Sequence, residues 1–315
     1  MTEPRAATGA ATTAGGDADG RRCGFIALLG APNVGKSTLL NRLVGSKVAI
    51  VSPKVQTTRT RVLGIAIAGA AQLVFIDTPG IFAPRRRLER AMVAAAWRGA
   101  EDADLVLLLV DSRRGVDDDT RRIIDGLKAG GRRAALALNK IDLVRRDSLL
   151  ALTETLNAEG IFDEVFMVSA LAGDGTDDLR DALAARMPPG PWHFPEDQIS
   201  DMPLRLLAAE ITREQLFRQL YQELPYALTV EAEGWEERDD GSVRISEVIT
   251  VQRDNQKAIV LGKGGQRIRS VGTLARQELE TLLGRRVHLK LFVKVREKWI
   301  DDPERYREWG LDFEA

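Results

Sequence analysis

The stretch that decides the fold of this chain is GAPNVGKST, residues 30–38, which directly follows the apolar run GFIALL at 24–29. Its G-x4-G-K-S spacing lies between a strand pattern and a helix pattern, as in loops that bind phosphate chains. Glycines let such a loop wrap around phosphates, so that backbone amides and a helix N-terminus face the negative charge. Lys36 is then expected to reach the β- and γ-phosphates, and the Ser37 hydroxyl to hold Mg²⁺. The stretch therefore predicts a nucleoside triphosphate site.

An alternation of strand and helix patterns surrounds this loop. Further buried-strand runs lie at 62–67, 72–76, 105–110, 134–138 and 164–168, and helical spacing occupies 84–100, 117–129, 145–159 and 176–187. The alternation predicts an α/β domain over 22–188, with a mostly parallel sheet and helices on both faces. Because ligands of such sheets bind at the carboxyl ends of the strands, functional residues are expected just after each strand.

Three motifs lie at those positions. In DTPG (77–80) the Asp77 carboxylate is expected to hold Mg²⁺ through water, and the Gly80 amide to meet a γ-phosphate. In NKID (139–142) Asp142 can accept two hydrogen bonds from guanine, whose N1–H and N2–H₂ are both donors, whereas adenine lacks that pair. SAL (169–171) offers a backbone N–H to guanine O6. The order of motifs predicts GTP/GDP, contacted by Gly30, Ala31, Pro32, Asn33, Val34, Gly35, Lys36, Ser37, Thr38, Asp77, Thr78, Pro79, Gly80, Ile81, Asn139, Lys140, Asp142, Ser169, Ala170 and Leu171.

Composition excludes several other classes of protein. A single cysteine, Cys23, rules out an internal disulfide, and two histidines make a Cys/His zinc site unsuitable. Cys23 is best interpreted as a small core or edge residue. No apolar stretch approaches the roughly 20 residues that span a bilayer, and residues 1–21 read as a disordered polar tail without the apolar core of a signal peptide. We therefore expect a cytoplasmic protein.

A second, smaller α+β domain is predicted over 204–300, after a proline-rich linker at 189–203 and before a C-terminal tail at 301–315. Its order is helix, two strands, two short helices and a strand, with GKGG at 262–265 between the short helices. A GxxG loop there is typical of a KH module, which clamps about four nucleotides of single-stranded RNA. Residues 253–298 hold twelve basic and four acidic residues in a chain of net charge −1, as an RNA footprint requires. The predicted RNA-binding residues are Gly262, Lys263, Gly264, Gly265, Arg267 and Arg269.

Several of these segments resemble the Era family of GTPases over residues 22–310: GAPNVGKSTLLN, VSPKVQTTRTRVLGI at 51–65, DTPGI, the GxxG loop and WIDDPERYREWG after the last strand. The resemblance implies a P-loop GTPase domain followed by a type II KH domain. It also implies binding near the 3′ end of small-subunit ribosomal RNA, a role in 30S subunit assembly, a monomer, and peripheral association with the inner membrane.

The resemblance also implies roles for individual residues. Thr57 and Thr58 would lie in a first switch loop, and one hydroxyl would complete the Mg²⁺ shell; we favour Thr58, so the metal set is Ser37, Thr58 and Asp77. A polar exposed loop is the alternative. Ile81 stands where many GTPases have a water-orienting glutamine, so intrinsic hydrolysis is expected to be slow. Asn33 resembles an asparagine that coordinates K⁺, the alternative being a loop-stabilising side chain; the expected catalytic set is Lys36, Asn33 and Gly80.

Two functions remain open from sequence. In the first, GTP binding controls the affinity of the KH module for RNA. In the second, the protein signals at a membrane, and the basic domain binds anionic lipid head groups. The glycine loop favours RNA, because attraction to lipid needs charge but no such loop. A preference for particular bases would discriminate the two.

Overall fold

The computed structural model describes residues 20–221 and 224–315, and the predicted N-terminal tail lies almost entirely outside them. The described strands form two sheets, one of six strands and one of three. None of the described helices is both long and apolar enough to cross a membrane.

The first domain contains a six-stranded sheet in the order β2-β3-β1-β4-β5-β6. Its elements are β1 (Arg22–Leu29), α1 (Lys36–Val44), β2 (Val62–Ala68), β3 (Ala71–Asp77), α2 (Arg87–Glu101), β4 (Leu105–Asp111), α3 (Asp118–Ala129), β5 (Ala134–Asn139), α4 (Arg146–Asn157), β6 (Phe162–Val168) and α5 (Thr176–Arg186). Only β2 runs antiparallel to its neighbour, β3; the remaining pairs are parallel. The predicted, mostly parallel sheet is confirmed.

The sheet is buried on both faces, which explains its runs of apolar residues without polar alternation. In β4 all seven residues are buried. Leu107 and Leu109 join the core on one face, and Val106 and Leu108 join the core on the other. Successive side chains of a strand point to opposite faces. The side chains of β4 therefore pack into both cores, and this packing fixes the position of its carboxyl end.

The segment between the domains is fastened to the first sheet. The fully buried Gln72 of β3 accepts bonds from the amides of His193 and Phe194, at 2.9 and 3.0 Å. The Ile65 amide of β2 donates to the Ile199 carbonyl at 2.9 Å. The predicted linker is therefore an ordered strap along the sheet, because the polar side chain of Gln72 pairs with its backbone.

The second domain has a three-stranded sheet in the order β7-β8-β9, with β8 antiparallel to β7 and parallel to β9. Its elements are α6 (Leu204–Gln219), β7 (Leu228–Glu237), β8 (Val243–Val251), α7 (Asp254–Leu261), α8 (Gln266–Leu283) and β9 (Val287–Val295). Helices α6 and α8 pack on this sheet and on each other. The order of elements is the one predicted for a KH domain.

One core position of this domain carries an acid. Glu247 of β8 is fully buried, and neither carboxylate oxygen has a hydrogen-bond partner among the described residues. Burial raises the pKa of Glu247 to about 8. Burial in this core therefore favours the protonated carboxyl.

The C-terminal segment, predicted as a tail, packs against the first domain. It forms a short helix, α9 (Pro303–Glu308), whose Tyr306 is fully buried in a cluster with Leu88 and Met92 of α2. The Arg87 guanidinium lies over the Phe313 ring, 4.4 Å from its centroid. Aromatic residues spaced along WIDDPERYREWG explain this docking, because each buries a large apolar surface.

Candidate functional site

A cleft of about 530 Å³ opens at the carboxyl ends of the strands of the first sheet. Its walls come from the loops after β1, β3, β4 and β5 and from the segment 46–61, which contains neither helix nor strand. The residues lining it are Pro32, Asn33, Gly35, Lys36, Ser37, Thr38, Ile50, Val51, Ser52, Pro53, Gln56, Thr57, Thr58, Gly80, Asp111, Arg113, Arg114 and Lys140.

The loop after β1 curls around the Lys36 side chain. Lys36 is buried, and its ammonium donates to the carbonyls of Gly30 and Ala31 at 3.0 and 3.2 Å. Burial lowers its pKa to about 8, against the opposing effect of the Asp77 carboxylate. Gly35 has φ of 104°, and a Cβ there would lie 2.3 Å from the Asn139 side chain. The loop thus requires glycine at this position, and it presents a buried cation at the cleft.

Three oxygen-bearing side chains meet beside this cation. The Ser37 hydroxyl donates to Asp77 at 2.6 Å, and the Thr58 hydroxyl lies 3.0 Å from Ser37 and 3.3 Å from Asp77. Asp77 is fully buried, burial raises its pKa, and its Oδ1 has no hydrogen-bond partner in the described part of the chain. Hard oxygen ligands around a buried carboxylate that keeps one oxygen unpaired fit Mg²⁺. The Thr57 hydroxyl points elsewhere, toward the Lys54 carbonyl at 2.7 Å.

Asn33 and Gly80 both line the cleft. Asn33 has φ of 63° and donates from its side-chain amide to the Pro53 carbonyl at 2.9 Å, so it joins the phosphate loop to the 46–61 segment. A Cβ on Gly80 would lie 3.0 Å from the backbone of Pro32. Glycine therefore allows the two loops to approach closely.

Ile81 does not line the cleft. Its side chain is fully buried in the apolar core, and its backbone amide donates to the Gly30 carbonyl at 3.2 Å. The apolar side chain packs inward, so only backbone atoms of Ile81 could reach a nucleotide, and its predicted contact stays a prediction.

The Asn139 side chain joins the three loops at the other end of the site. It donates to the Val34 carbonyl at 2.7 Å and accepts from the Ala170 amide at 2.9 Å. Asp142, three residues beyond Asn139, is exposed, and Leu171 is 76% exposed. These exposed groups leave the end of the site at which base binding was predicted open to solvent.

Sequence reasoning missed one acid of the cleft, Asp111 at the end of β4. Burial raises its pKa, but hydrogen bonds from Arg113 and Lys140 outweigh that effect and lower the pKa to about 2. The Lys140 ammonium lies 2.7 Å from Asp111 and 2.6 Å from the Asn33 carbonyl. The position of Asp111 directly after a buried strand was the signal that could have identified it.

The 46–61 segment also contacts helix α6 of the second domain. Glu214 of α6, 1% exposed, pairs with Lys47 and accepts from the Val51 amide at 3.0 Å. Arg59, itself buried, donates to the Leu228 carbonyl at 2.8 Å. Arg213 of α6 donates to the Thr57 carbonyl. The segment that walls the nucleotide cleft is therefore also part of the domain interface.

The GKGG loop of the second domain is shaped by three glycines with positive φ, of 74°, 58° and 74° at Gly262, Gly264 and Gly265. Lys263 and Arg269 are exposed, so their charges are accessible. Arg267 instead turns back and donates to a carbonyl of α7. This bond uses one nitrogen of the guanidinium, and the predicted contact of Arg267 with RNA stays a prediction for the other donors.

Comparisons with known proteins cover nearly the whole chain. A family described as 50S ribosome-binding GTPase matches residues 25–140, and the KH domain family matches residues 223–300. GTPase Era of Rhizobium meliloti strain 1021 is 62% identical to this chain, and the match covers 93% of each protein. GTPase Era of Bradyrhizobium sp. strain BTAi1 is 60% identical, and the match covers 93% of this chain and 95% of the relative.

Two crystal structures are similar in fold, each with a TM-score of 0.87 at 40% identity, covering 92% of this chain and 99% of the other. One is a variant of Aquifex aeolicus Era bound to GDP·AlF₄⁻. The other is Era in complex with MgGDPNP and nucleotides 1506–1542 of 16S ribosomal RNA.

Proposed function

Since the chain belongs to the Era family of GTPases, we propose that it binds GTP with Mg²⁺, hydrolyses it to GDP and phosphate, and uses its KH domain to bind the 3′ region of 16S ribosomal RNA during assembly of the 30S subunit. The observation that carries the proposal is the meeting of Ser37, Thr58 and Asp77 beside the buried ammonium of Lys36. That a relative was crystallised with MgGDPNP and this RNA region supports the choice of ligands.

Hydrolysis depends on residues that hold the phosphates and offset their charge. Lys36 would pair with the β- and γ-phosphates, and the Gly80 amide would donate to the γ-phosphate. Ser37, Thr58 and Asp77 would hold Mg²⁺, which supplies charge neutralisation at the phosphates when bound. Because these groups are fixed by the sheet and by each other, little reorganisation is needed when charge develops during transfer.

The residue after Gly80 offers no side-chain group that could orient the attacking water. The buried Ile81 side chain can neither donate nor accept a hydrogen bond. We therefore propose that intrinsic turnover is slow and that another element supplies the interaction. Asn33, which belongs to the phosphate loop and lines the cleft, is the residue we propose as a ligand for K⁺, which would offset charge on the β–γ bridge.

RNA would bind at the GKGG loop. Glycines without side chains let the sugar–phosphate chain approach the backbone, and Lys263 offers a cation to a phosphate. Ile259, one turn before the loop on α7, is 46% exposed and provides apolar surface for a base. We propose that GTP-bound and GDP-bound states differ in RNA affinity, because the 46–61 segment contacts both the cleft and α6.

Binding of a labelled oligonucleotide from the 16S rRNA 3′ end tests the RNA assignment. Gly264→Asp should abolish it, because its carboxylate repels phosphate. A Cβ there meets no other atom within 4 Å, but φ is 58°, so folding of the variant must be checked by far-UV circular dichroism and thermal unfolding. Lys263→Glu and Lys290→Glu change net charge equally, and both lysines are exposed. A clamp at the loop predicts a much larger loss for Lys263→Glu.

Two control ligands complete the experiment: a scrambled oligonucleotide and vesicles of anionic lipid. RNA binding through the loop predicts weaker binding of the scrambled sequence. Equal losses for the two lysine variants, indifference to sequence and tight binding to vesicles would instead support the membrane function.

A further inference from the structure

Arg213 of α6 reaches from the second domain to the backbone of the 46–61 segment. Its guanidinium donates to the Thr57 carbonyl and, through Nε, to Glu210 at 2.7 Å. The peptide that follows Thr57 leads directly into Thr58, whose hydroxyl lies at the Ser37–Asp77 pair. One side of this peptide is therefore held by the second domain, while the other side faces the nucleotide cleft.

Burial of the Arg213 guanidinium costs desolvation free energy that packing alone would not require. The Arg213 side chain is 2% exposed, and its Nη1 has no hydrogen-bond partner in the described part of the chain. A second buried guanidinium, that of Arg59, also approaches the Phe217 ring. The guanidinium carbon lies 5.0 Å from the ring centroid in Arg213 and 5.8 Å in Arg59. Apolar residues often replace buried ion pairs without loss of stability. An apolar residue could not hold the Thr57 carbonyl.

The 46–61 segment has no helix or strand to fix its backbone. Placement of Thr58 therefore depends on side-chain contacts with its neighbours. We propose that Arg213 is a positioning residue for GTP hydrolysis: it holds the Thr57 carbonyl so that the Thr58 hydroxyl faces the metal position. This inference rests on the proposed role of Thr58 as a Mg²⁺ ligand. It makes the KH domain a contributor to the nucleotide site of the same chain.

Arg213 should affect the affinity for GTP more than the affinity for GDP. Thr58 is expected to complete the Mg²⁺ shell only when GTP is bound, so its placement matters for the triphosphate and not for GDP. Loss of Arg213 should therefore weaken binding of a non-hydrolysable GTP analogue and leave GDP binding nearly unchanged. Replacement of a residue that only stabilises the domain interface would change the affinities for the GTP analogue and for GDP equally.

The test compares Arg213→Met with Arg205→Met in the full chain. Arg205 is an exposed arginine on the same helix, so its variant controls for loss of charge from α6. A charged donor to a carbonyl typically contributes enough for about a tenfold change in affinity. We expect about a tenfold loss of analogue affinity for Arg213→Met, GDP affinity within about twofold, and a higher Mg²⁺ concentration for half-maximal turnover. Equal loss for both nucleotides, or no loss, would overturn the inference.

A double-mutant cycle with Thr58→Ala shows whether Arg213 acts through Thr58. If it does, Arg213→Met adds little to the loss already caused by Thr58→Ala, whereas additive losses overturn the inference. If Thr58→Ala has no effect on analogue binding or Mg²⁺ dependence, the proposed metal site fails and the inference fails with it. If Thr58→Ala is effective and Arg213→Met is silent, only the inference fails.

The buried position requires a check that the variants fold. Far-UV circular dichroism and thermal unfolding would be measured for each. Should Arg213→Met not fold, Arg213→Gln carries the same prediction, since a polar but shorter and uncharged side chain cannot hold Glu210 and the Thr57 carbonyl together. The separation between analogue and GDP binding remains the deciding result.

Discussion

Glu247 is the residue whose replacement should change the stability of this protein most predictably with pH. It lies fully buried in β8 with no hydrogen-bond partner for either carboxylate oxygen among the described residues. Its pKa rises from 4.5 to about 8 on folding, because burial disfavours the charged form. Above pH 4.5 the unfolded chain releases a proton that the folded chain keeps. Stability is therefore lost as pH rises from 4.5 to about 8.

The size of the effect follows from that shift. One pH unit between the two pKa values changes the free energy of unfolding by about 1.4 kcal/mol for one group. Between pH 5 and pH 7 the parent should lose about 2 to 3 kcal/mol through Glu247 alone. Glu247→Gln, which has nearly the same shape and cannot ionise, should lose none of this. The free energy of unfolding of the variant, relative to that of the parent, should therefore increase by about 2 to 3 kcal/mol between pH 5 and pH 7.

Urea denaturation of the full chain at pH 5, 6 and 7 measures the difference. Other titrating groups are present in both proteins, so their contributions cancel when variant and parent are compared at each pH. Glu236→Gln is the matched control, because Glu236 is an exposed acid on the neighbouring strand β7; its difference from the parent should stay within about 0.5 kcal/mol. A Glu247→Gln difference that does not change between pH 5 and pH 7 would refute the reasoning.

Three further predictions concern the nucleotide site. Gly35→Ala should weaken GDP binding by at least about tenfold, because φ is 104° and the Cβ would lie 2.3 Å from the Asn139 side chain; calorimetric affinity within twofold of the parent would exclude this steric role. Asp142→Asn should lose about 100-fold in GDP affinity and prefer xanthosine diphosphate, whose base carries an oxygen in place of the guanine amino group; continued preference for GDP would show that Asp142 does not read the base. Turnover should be faster in K⁺ than in Na⁺, and Asn33→Ala should remove the difference; equal rates in the two buffers with the parent would dismiss K⁺ coordination.

The strands, helices and loop positions of the first domain were predictable because each follows from a local pattern. Buried runs such as LVLLLV mark strands, and the motifs that follow them mark the ends of those strands. The GTPase activity and the two-domain fold inferred from these patterns, and the Era family inferred from the resemblance of the quoted segments, were confirmed. The roles of individual site residues stay predictions, and their positions now define the experiments above.

Contacts between distant parts of the chain could not be predicted in the same way. Arg213 and Thr57 are 156 residues apart, and nothing in the local sequence of either one specifies the other. The docking of Tyr306 on α2 and the fastening of the strap by Gln72 are of the same kind. Each depends on the packing of two completed elements, so the pattern of one element alone does not contain it.

The dependence of RNA affinity on the bound nucleotide tests the central claim most directly. The dissociation constant of the 16S rRNA 3′ oligonucleotide would be measured with a non-hydrolysable GTP analogue and Mg²⁺, with GDP and Mg²⁺, and without nucleotide. We predict at least about tenfold tighter binding with the analogue, and analogue affinity raised by the same factor when RNA is bound, as linkage requires. Equal RNA affinity in all three conditions would contradict the account.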